Sequence, residues 1–209
     1  MQKSRCSQES SGSCVVPHIH NEPNQHDMTV SAYIVRQEAG EWKCLVHMHK
    51  KIDKLMQIGG HIELDETPWQ SMAHELGDET GYQLPELTLL QPFDTVPSIG
   101  DAIVHPVPFL VNTHNVGNDH YHSDLCYAFI ANDVPSGARA DGESADLRWY
   151  SLDELSTLAR KGEALEDVAN IYETLLQYLS KMSKIDPSLF SLTKPIAGVT
   201  YKRGAPGTV

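Results

Sequence analysis

The sequence predicts a layered domain of the α/β or α+β class, in which helices are inserted between strands. Strand patterns begin at Met28 and recur to about residue 151, whereas helical patterns occupy residues 67–81, 152–160 and 163–183. Elements in this order pack as layers, because each must bury one apolar face against another. The 209 residues, 40% of them hydrophobic, suffice for one such domain with extensions.

The first two strands form a predicted hairpin. MTVSAYIVR, from Met28, and WKCLVHMH are separated by a turn over Glu38–Glu41 that contains Gly40. A short strand, LMQIGGHIE, then runs into the glycine pair Gly59 and Gly60. Beyond the first helix, LTLLQPFDTV and HPVPFLVN are interrupted by prolines, which predicts edge strands or bulges. YHSDLCYAFIAN and LRWYS complete the predicted strands.

Both ends of the chain are predicted to lie outside the packed domain. Residues 1–27 are polar with little periodicity, which is typical of a flexible N-terminal arm. Residues 28–184 carry the strand and helix patterns and form the predicted domain. Residues 185–209 contain repeated prolines and glycines and form a predicted C-terminal tail.

Charge and cysteine content narrow the classes of function. The net charge of −12 argues against general nucleic-acid binding, since phosphate backbones are bound by an excess of Lys and Arg. The four cysteines show neither metal-ligand spacing nor a disulfide framework, which favours a reducing compartment. There is no apolar run of about 18 residues and no signal-peptide core, so the sequence predicts a cytoplasmic protein without a membrane partner.

The helix over residues 67–81 has clear boundaries. Thr67 is a natural N-cap, Pro68 occupies the first helical position, and Gln70 completes a capping box. Gly81 supplies the left-handed residue that ends the helix. The apolar stripe that should face the core consists of Trp69, Met72, Ala73 and Leu76.

Three carboxylates on this helix, Glu75, Asp78 and Glu79, are spaced at i, i+3 and i+4, which places them on one face. Acids so close repel one another unless a cation lies among them, and no Lys or Arg occurs between Thr67 and Gly81. Oxygen ligands without thiolates suit Mg²⁺, with Mn²⁺ as the alternative. The helix therefore indicates metal-assisted chemistry on phosphates.

Residues 60–82, GHIELDETPWQSMAHELGDETGY, resemble the signature of the Nudix hydrolases. That signature is a glycine, five residues, Glu, seven residues, and then Arg-Glu-apolar-x-Glu-Glu-x-Gly-apolar. Its positions fall on Gly60, Glu66, His74, Glu75, Leu76, Asp78, Glu79, Gly81 and Tyr82. The resemblance covers about residues 28–183 and implies the Nudix fold, a mixed β-sheet sandwiched between helices.

The resemblance implies a role for each carboxylate. In the family, the glutamates of the helix hold Mg²⁺, which binds the phosphates of the substrate and activates a water. Asp78 and Glu79 would be metal ligands here, and Glu75 would be a ligand or the catalytic base. The carbonyl of Gly59 would help to ligate the ion. Glu143, in the loop before LRWY, is a further candidate ligand, because many members place a carboxylate in this region.

Two positions of the signature are substituted. The arginine of the family orients the carboxylates of the signature by ion pairing, and His74 replaces it. His74 can do part of this by hydrogen bonding, but an ordinary histidine loses its charge near neutral pH. Asp78 replaces a glutamate and stays a sound ligand that is one methylene shorter. Gly60, Glu66 and Gly81 keep the structural positions of the signature.

Histidines are the unusual feature of the composition, eleven in all. His120, His122 and Asp124 alternate along a strand and so project from one face, and two histidines with a carboxylate can bind Fe²⁺, Zn²⁺ or Mn²⁺. Three interpretations are open: a hydrogen-bonded polar face, contacts to the substrate beside the magnesium site, and a second metal site. His61 follows the glycine pair and is a further candidate for substrate binding. His47 is as compatible with a surface position as with function.

The resemblance predicts a Mg²⁺-dependent pyrophosphohydrolase that cleaves a nucleoside diphosphate linked to another moiety by water attack on phosphorus. Lys51, which lies just before the third strand, is a candidate contact for the phosphates. Two alternatives stay open: a non-catalytic nucleotide-sensing protein with a weakened signature, and an isomerase-like member that acts on a diphosphate substrate without cleaving it. Because Nudix proteins often dimerise, a homodimer is a further expectation.

Overall fold

The computed structural model describes residues 24–94, 99–142, 144 and 146–197. In this part of the chain nine strands form one mixed sheet. They are β1 (His26–Glu38), β2 (Glu41–His49), β3 (Lys54–Met56), β4 (Ile58–His61), β5 (Leu87–Gln91), β6 (Leu110–Gly117), β7 (His120–Ala131), β8 (Leu147–Ser151) and β9 (Ser183–Ile185). The helices are α1 (Pro68–Glu75), α2 (Leu152–Arg160) and α3 (Glu166–Tyr178). A π-helical turn follows α1 over Leu76–Thr80, and 3₁₀ turns cover Leu84–Glu86, Leu179–Lys181 and Pro187–Leu189.

Strand β1 is the centre of the sheet. It pairs with β7 in parallel over the whole length from His26 to Val35. On its other side β1 divides between two partners: Val35–Glu38 pair with β2, whereas Thr29–Ala32 pair with β4. Strand β2 continues outward to β3 and β8, and β7 continues to β5 and β6. The division of β1 brings β4, which carries the glycine pair, into the middle of the domain.

The hydroxyl of Tyr172 on α3 fills the place where β2 and β4 separate. The Ile34 N–H donates to the Tyr172 oxygen at 3.2 Å, and this hydroxyl donates to the Leu45 carbonyl. Tyr172 is fully buried, and burial raises the pKa of its phenol well above the ordinary value. One neutral side chain therefore satisfies two buried backbone groups that neighbouring strands would otherwise pair.

Replacing Tyr172 by phenylalanine is expected to lower the free energy of unfolding by about 1–3 kcal/mol, because the buried Ile34 N–H and Leu45 carbonyl lose their partner. Urea unfolding followed by circular dichroism measures the change. The matched control is Tyr178→Phe, since Tyr178 is 51% exposed, and it should change stability by no more than about 0.5 kcal/mol. Equal stability of the two variants would contradict this role.

The sheet lies between two layers of helix. On one face, Trp69 and Met72 of α1 and Leu76 of the following turn pack against residues such as Val30 and Phe129. On the other face, α2 and α3 pack apolar side chains against Tyr33, Val35, Cys126 and Ala128. Successive residues of β1 and β7 thus alternate between the two layers. The predicted α+β fold, a mixed sheet between helices, is confirmed.

Several boundaries differ from the sequence prediction. β1 begins at His26 rather than Met28, because β7 pairs with it from that residue. Ile185, predicted to begin the tail, pairs with Leu89, and Phe190 is only 4% exposed in the core. The remaining division into arm, domain and tail stays a prediction, since residues 1–23 and 198–209 lie outside the described part.

The proline-based prediction is confirmed for one strand and wrong for the other. β6 begins after the prolines, pairs with β7, and carries an irregularity between Asn115 and Gly117. β5 ends before Pro92 and pairs with β7 on one side and β9 on the other, so it is an inner strand. Among the described helices, none is both long and apolar enough to cross a bilayer.

Candidate functional site

Helix α1 has the predicted N-terminal cap. The Thr67 hydroxyl accepts the Gln70 N–H at 3.3 Å, and the Gln70 side chain accepts the Thr67 N–H at 2.9 Å. The end of the helix differs from the prediction, because after Glu75 the chain widens into the π-helical turn before Gly81, whose φ is 80°. Such turns are rare and frequently lie at functional sites. The three acids therefore do not share one α-helical face as predicted.

Glu79 points from this turn toward the glycine pair. It is 7% exposed, and its Oε2 accepts the Gly59 N–H at 2.8 Å. Its Oε1 lies 3.6 Å from Nδ1 of His47 on β2. Gly59 has a φ of +146°, and a Cβ there would lie 2.1 Å from the Val30 carbonyl oxygen, so only glycine fits. The predicted role of the Gly59 carbonyl as a ligand stays a prediction; its amide holds Glu79.

His47 is neutral beside Glu79 at physiological pH. It is 3% exposed, and burial together with the nearby His49 lowers its pKa to about 4. The 3.6 Å contact is therefore not an ion pair at neutral pH. A neutral imidazole next to a buried carboxylate leaves the negative charge of that carboxylate available to a cation.

Glu75 approaches the glycine pair from the end of α1. A Cβ built on Gly60 would lie 2.2 Å from Glu75 Oε1, so the carboxylate occupies the space above this glycine. Gly60 pairs with Val30, whose side chain belongs to the α1 layer. Glu75 and Glu79 thus converge on Gly59 and Gly60 from the α1 side of the sheet.

Asp78 takes a different direction, toward His74 and Glu66. The His74 ring lies between the two acids, with Nε2 at 3.1 Å from Asp78 and Nδ1 at 3.2 Å from Glu66. Carboxylates only accept hydrogen bonds, so both contacts require a protonated ring. Burial alone would lower the pKa of His74, but the charges of Asp78, Glu66 and Glu75 outweigh it and raise the pKa above its ordinary value. His74 therefore supplies the pairing expected of the arginine.

Replacing His74 by alanine is expected to lower turnover by about 10–100-fold and to raise the Mg²⁺ concentration needed for half-maximal rate, because Asp78 and Glu66 lose their common partner. His74→Arg should keep most of the activity, since arginine carries a permanent charge. Steady-state rates over a Mg²⁺ series check both variants. An arginine variant as weak as the alanine variant would contradict the pairing role.

The acidic residues fit a hard divalent cation. Two carboxylates, Glu75 and Glu79, lie on the same glycine pair, and Asp78 follows in the same turn. Their oxygens are the donors that Mg²⁺ and Mn²⁺ prefer, whereas the thiols of Cys44 and Cys126 are buried in the opposite layer. The loop after Gly137 is held against the same turn, since the Ala140 N–H donates to the Asp78 carbonyl at 2.9 Å.

The other predicted site residues are dispersed. Asp124 is 4% exposed, and its oxygens accept hydrogen bonds from Thr29 and Cys126. Lys51 is exposed in the β2–β3 turn, where its N–H donates to the His49 ring. Glu143 lies outside the described residues, and its ligand role stays a prediction.

His61, His120 and His122 meet on the opposite face of the sheet from Glu75. His120 and His122 have the same parity on β7 as Cys126, which faces α3, and His61 on β4 pairs with Thr29. The His61 and His122 rings lie 4.8 Å apart. The structure therefore does not bring these histidines together with the acids on the α1 side.

Two residues of these sites were not assigned from the sequence. Asp27 was placed in the arm, yet it is fully buried in β1 beside His120. The sequence signal was the alternation of polar and apolar residues in HDMTVSAY, which allows the strand to begin two residues before Met28. His47 was left undecided; in a strand buried on both faces, a histidine at the parity of Leu45 must be internal.

Comparisons with known proteins show the family and the fold of the chain. The NUDIX domain family model matches residues 25–174. A NUDIX-family hydrolase from Clostridium perfringens is 26% identical, has a TM-score of 0.57, and is matched over 73% of this chain and 97% of that one. No curated protein matches the chain in sequence.

Two further solved structures share the fold. The Caenorhabditis elegans Ap4A hydrolase in a binary complex is 16% identical with a TM-score of 0.54, covering 72% of this chain and 98% of that one. The NUDIX domain of Shewanella oneidensis NrtR, complexed with ADP ribose, is 15% identical with a TM-score of 0.53, covering 79% and 94%. Since the family model matches more than half of the chain, the chain belongs to the Nudix family and is a Nudix hydrolase.

Proposed function

We propose that the protein is a Mg²⁺-dependent pyrophosphohydrolase that cleaves a nucleoside diphosphate linked to another moiety. The observation that carries this proposal is the convergence of Glu75 and Glu79 on Gly59 and Gly60. Carboxylates at this position suit a hard cation, and the family hydrolyses phosphoanhydrides. A homodimer and a cytoplasmic location stay predictions.

Each residue of the site has a distinct task in this proposal. Glu79, oriented by the Gly59 N–H, would hold the cation, and Asp78, whose carboxylate contacts His74 here, and Glu143 are proposed as further ligands. Glu75, above Gly60, accepts the proton of the attacking water or helps to hold the cation. When bound, Mg²⁺ neutralises charge on the phosphate oxygens and lowers the pKa of a water. Lys51, exposed in the β2–β3 turn, is proposed to meet a distal phosphate.

The test is a panel of nucleoside diphosphate derivatives, dinucleoside polyphosphates and nucleoside triphosphates, incubated with Mg²⁺ or Mn²⁺ in ¹⁸O-labelled water. Mass spectrometry of the products gives both the bond that breaks and the phosphorus that receives the label. The proposal expects a nucleoside monophosphate and a second phosphate-bearing product, one of them labelled.

Three other outcomes would replace the proposal. Tight nucleotide binding without turnover would favour a sensor, and the outward direction of Asp78 is the feature that would explain it. Consumption of substrate without a labelled product would favour an isomerase. Cleavage confined to triphosphates would keep the hydrolase and change its substrate class.

A further inference from the structure

Four side chains form a second cluster. It lies on the same face of the sheet as α2 and α3. This histidine cluster consists of Asp27 on β1, His61 on β4, and His120 and His122 on β7. One ligand atom from each of Asp27, His120 and His122 lies within 4.8 Å of the other two. His61 joins them through its Nε2, 3.6 Å from Asp27 Oδ2, and through its ring contact with His122.

The cluster places a charged group where water does not reach. Asp27 has no exposed surface and His120 is 7% exposed, so the carboxylate is removed from solvent on β1. Burying a carboxylate is unfavourable unless a nearby positive charge or hydrogen bonds compensate it. Two kinds of positive charge are available here: protonated histidines, or a metal ion shared by neutral ones.

The distances between the ligand atoms fit a shared metal ion. A charge-assisted N–H···O⁻ hydrogen bond is about 2.7–2.9 Å long. In a four-coordinate zinc site, with metal–ligand distances of about 2.1 Å, neighbouring ligand atoms lie roughly 3.4 Å apart. Asp27 Oδ2 lies 3.3 Å from His120 Nε2 and 3.6 Å from His61 Nε2. Both separations match atoms that share a cation between them.

We propose that Asp27, His120 and His122, with His61 as the fourth ligand, bind a Zn²⁺-type transition-metal ion. Three imidazoles and one carboxylate are a ligand set that zinc accepts in four-coordinate geometry. Mg²⁺ requires oxygen ligands and is not expected to compete. The ligand atoms of Asp27, His120 and His122 lie within 4.8 Å of one another, and His61 joins them through its 3.6 Å approach to Asp27.

This metal site is separate from the acids of the Nudix signature. Asp27 has the parity of Tyr33 on β1, which belongs to the α3 layer, whereas Gly60 pairs with Val30, which belongs to the α1 layer. The two sites therefore lie on opposite faces of β1 and β4. The zinc proposal stands independently of the substrate proposed above.

The experiment is a metal titration of the full-length protein after removal of bound metals with a chelator. Isothermal titration with Zn²⁺ is carried out in millimolar Mg²⁺, and Co²⁺ is added in parallel to record the visible absorption of a four-coordinate site. The expected result is one Zn²⁺ per chain that Mg²⁺ does not displace, with intense Co²⁺ bands. A wild-type protein that binds no Zn²⁺ under these conditions overturns the proposal.

Variants assign the ion to the cluster. His122→Gln and His120→Asn should each weaken Zn²⁺ binding at least 100-fold, and circular dichroism confirms that they are folded; Asp27→Asn adds a third test. Glu79→Gln should keep the Zn²⁺ site, and so should two histidine controls, His49→Gln on β2 and a chain with both His18→Gln and His20→Gln. If Zn²⁺ binding survives in folded His122→Gln, or is lost in Glu79→Gln or in either histidine control, the ion lies elsewhere and the proposal is wrong.

Discussion

Replacing Glu79 by glutamine is expected to lower Mg²⁺-dependent turnover by about 10³-fold. A metal-bound phosphate gains several kcal/mol of charge stabilisation, and each 1.36 kcal/mol corresponds to tenfold in rate. The amide oxygen of glutamine can still accept the Gly59 N–H, so the local structure is retained. Steady-state hydrolysis over a Mg²⁺ series measures the loss, and circular dichroism measures the fold.

Glu63→Gln is the matched control for this variant. Glu63 lies in the loop before α1 and is exposed, so its loss removes one negative charge from the same segment without touching the glycine pair. It should keep turnover within about twofold, as expected for a surface substitution. Full turnover of Glu79→Gln, or an equal loss in both variants, would remove the basis for placing the cation at Glu79.

The second large effect is expected from Gly60→Ala, which should lower turnover about 10²-fold. The new Cβ would lie 2.2 Å from Glu75 Oε1, so the carboxylate must move by roughly 1 Å, and a displacement of that size in a catalytic group costs about this factor. Because the obstacle is the end of a flexible side chain, the fold should persist. Rates and thermal unfolding are measured on the same preparation.

Gly77→Ala provides the comparison for this glycine. A Cβ there meets its nearest neighbour, the Gln83 side chain, at 3.8 Å, an ordinary contact. This variant should therefore keep its activity and melt at the wild-type temperature or slightly above it. If Gly60→Ala were as active as Gly77→Ala, Glu75 would not need its position above the glycine.

Features encoded by neighbouring residues were predictable from the sequence. The cap at Thr67, the left-handed Gly81 and the pair Glu75 and Glu79 each follow from a few adjacent positions of the Nudix signature, and the structure has the cap and the left-handed glycine as predicted. The π-helical turn was not predictable in this way. Nothing in LGDET separates it from an α-helix, and the turn is held from outside by the Gly137 and Ala140 amides.

Residues whose position depends on distant pairing were assigned incorrectly or left undecided. Asp27 becomes a buried group only because β1 pairs in parallel with β7, which brings it beside His122. Periodicity can extend the strand to Asp27 but cannot reveal its partner, since the two strands are far apart in the chain. The burial of His47 likewise depends on β8, which pairs with β2, and on the turn after α1, which places Glu79 beside it. His74 illustrates the opposite case, because its i,i+4 spacing to Asp78 was visible and its pairing followed.

The parallel pairing of β1 and β7 also determines when the two sites form during folding. Thr29 and Asp124, which share a hydrogen bond, are separated by 95 positions. Closing so long a loop costs chain entropy before any contact compensates it, and parallel pairing of this kind forms slowly. Since β1 positions the glycine pair on one side and the histidine cluster on the other, neither arrangement can form until this distant contact has formed. On a growing chain, both arrangements should therefore appear together, after β7 has been synthesised.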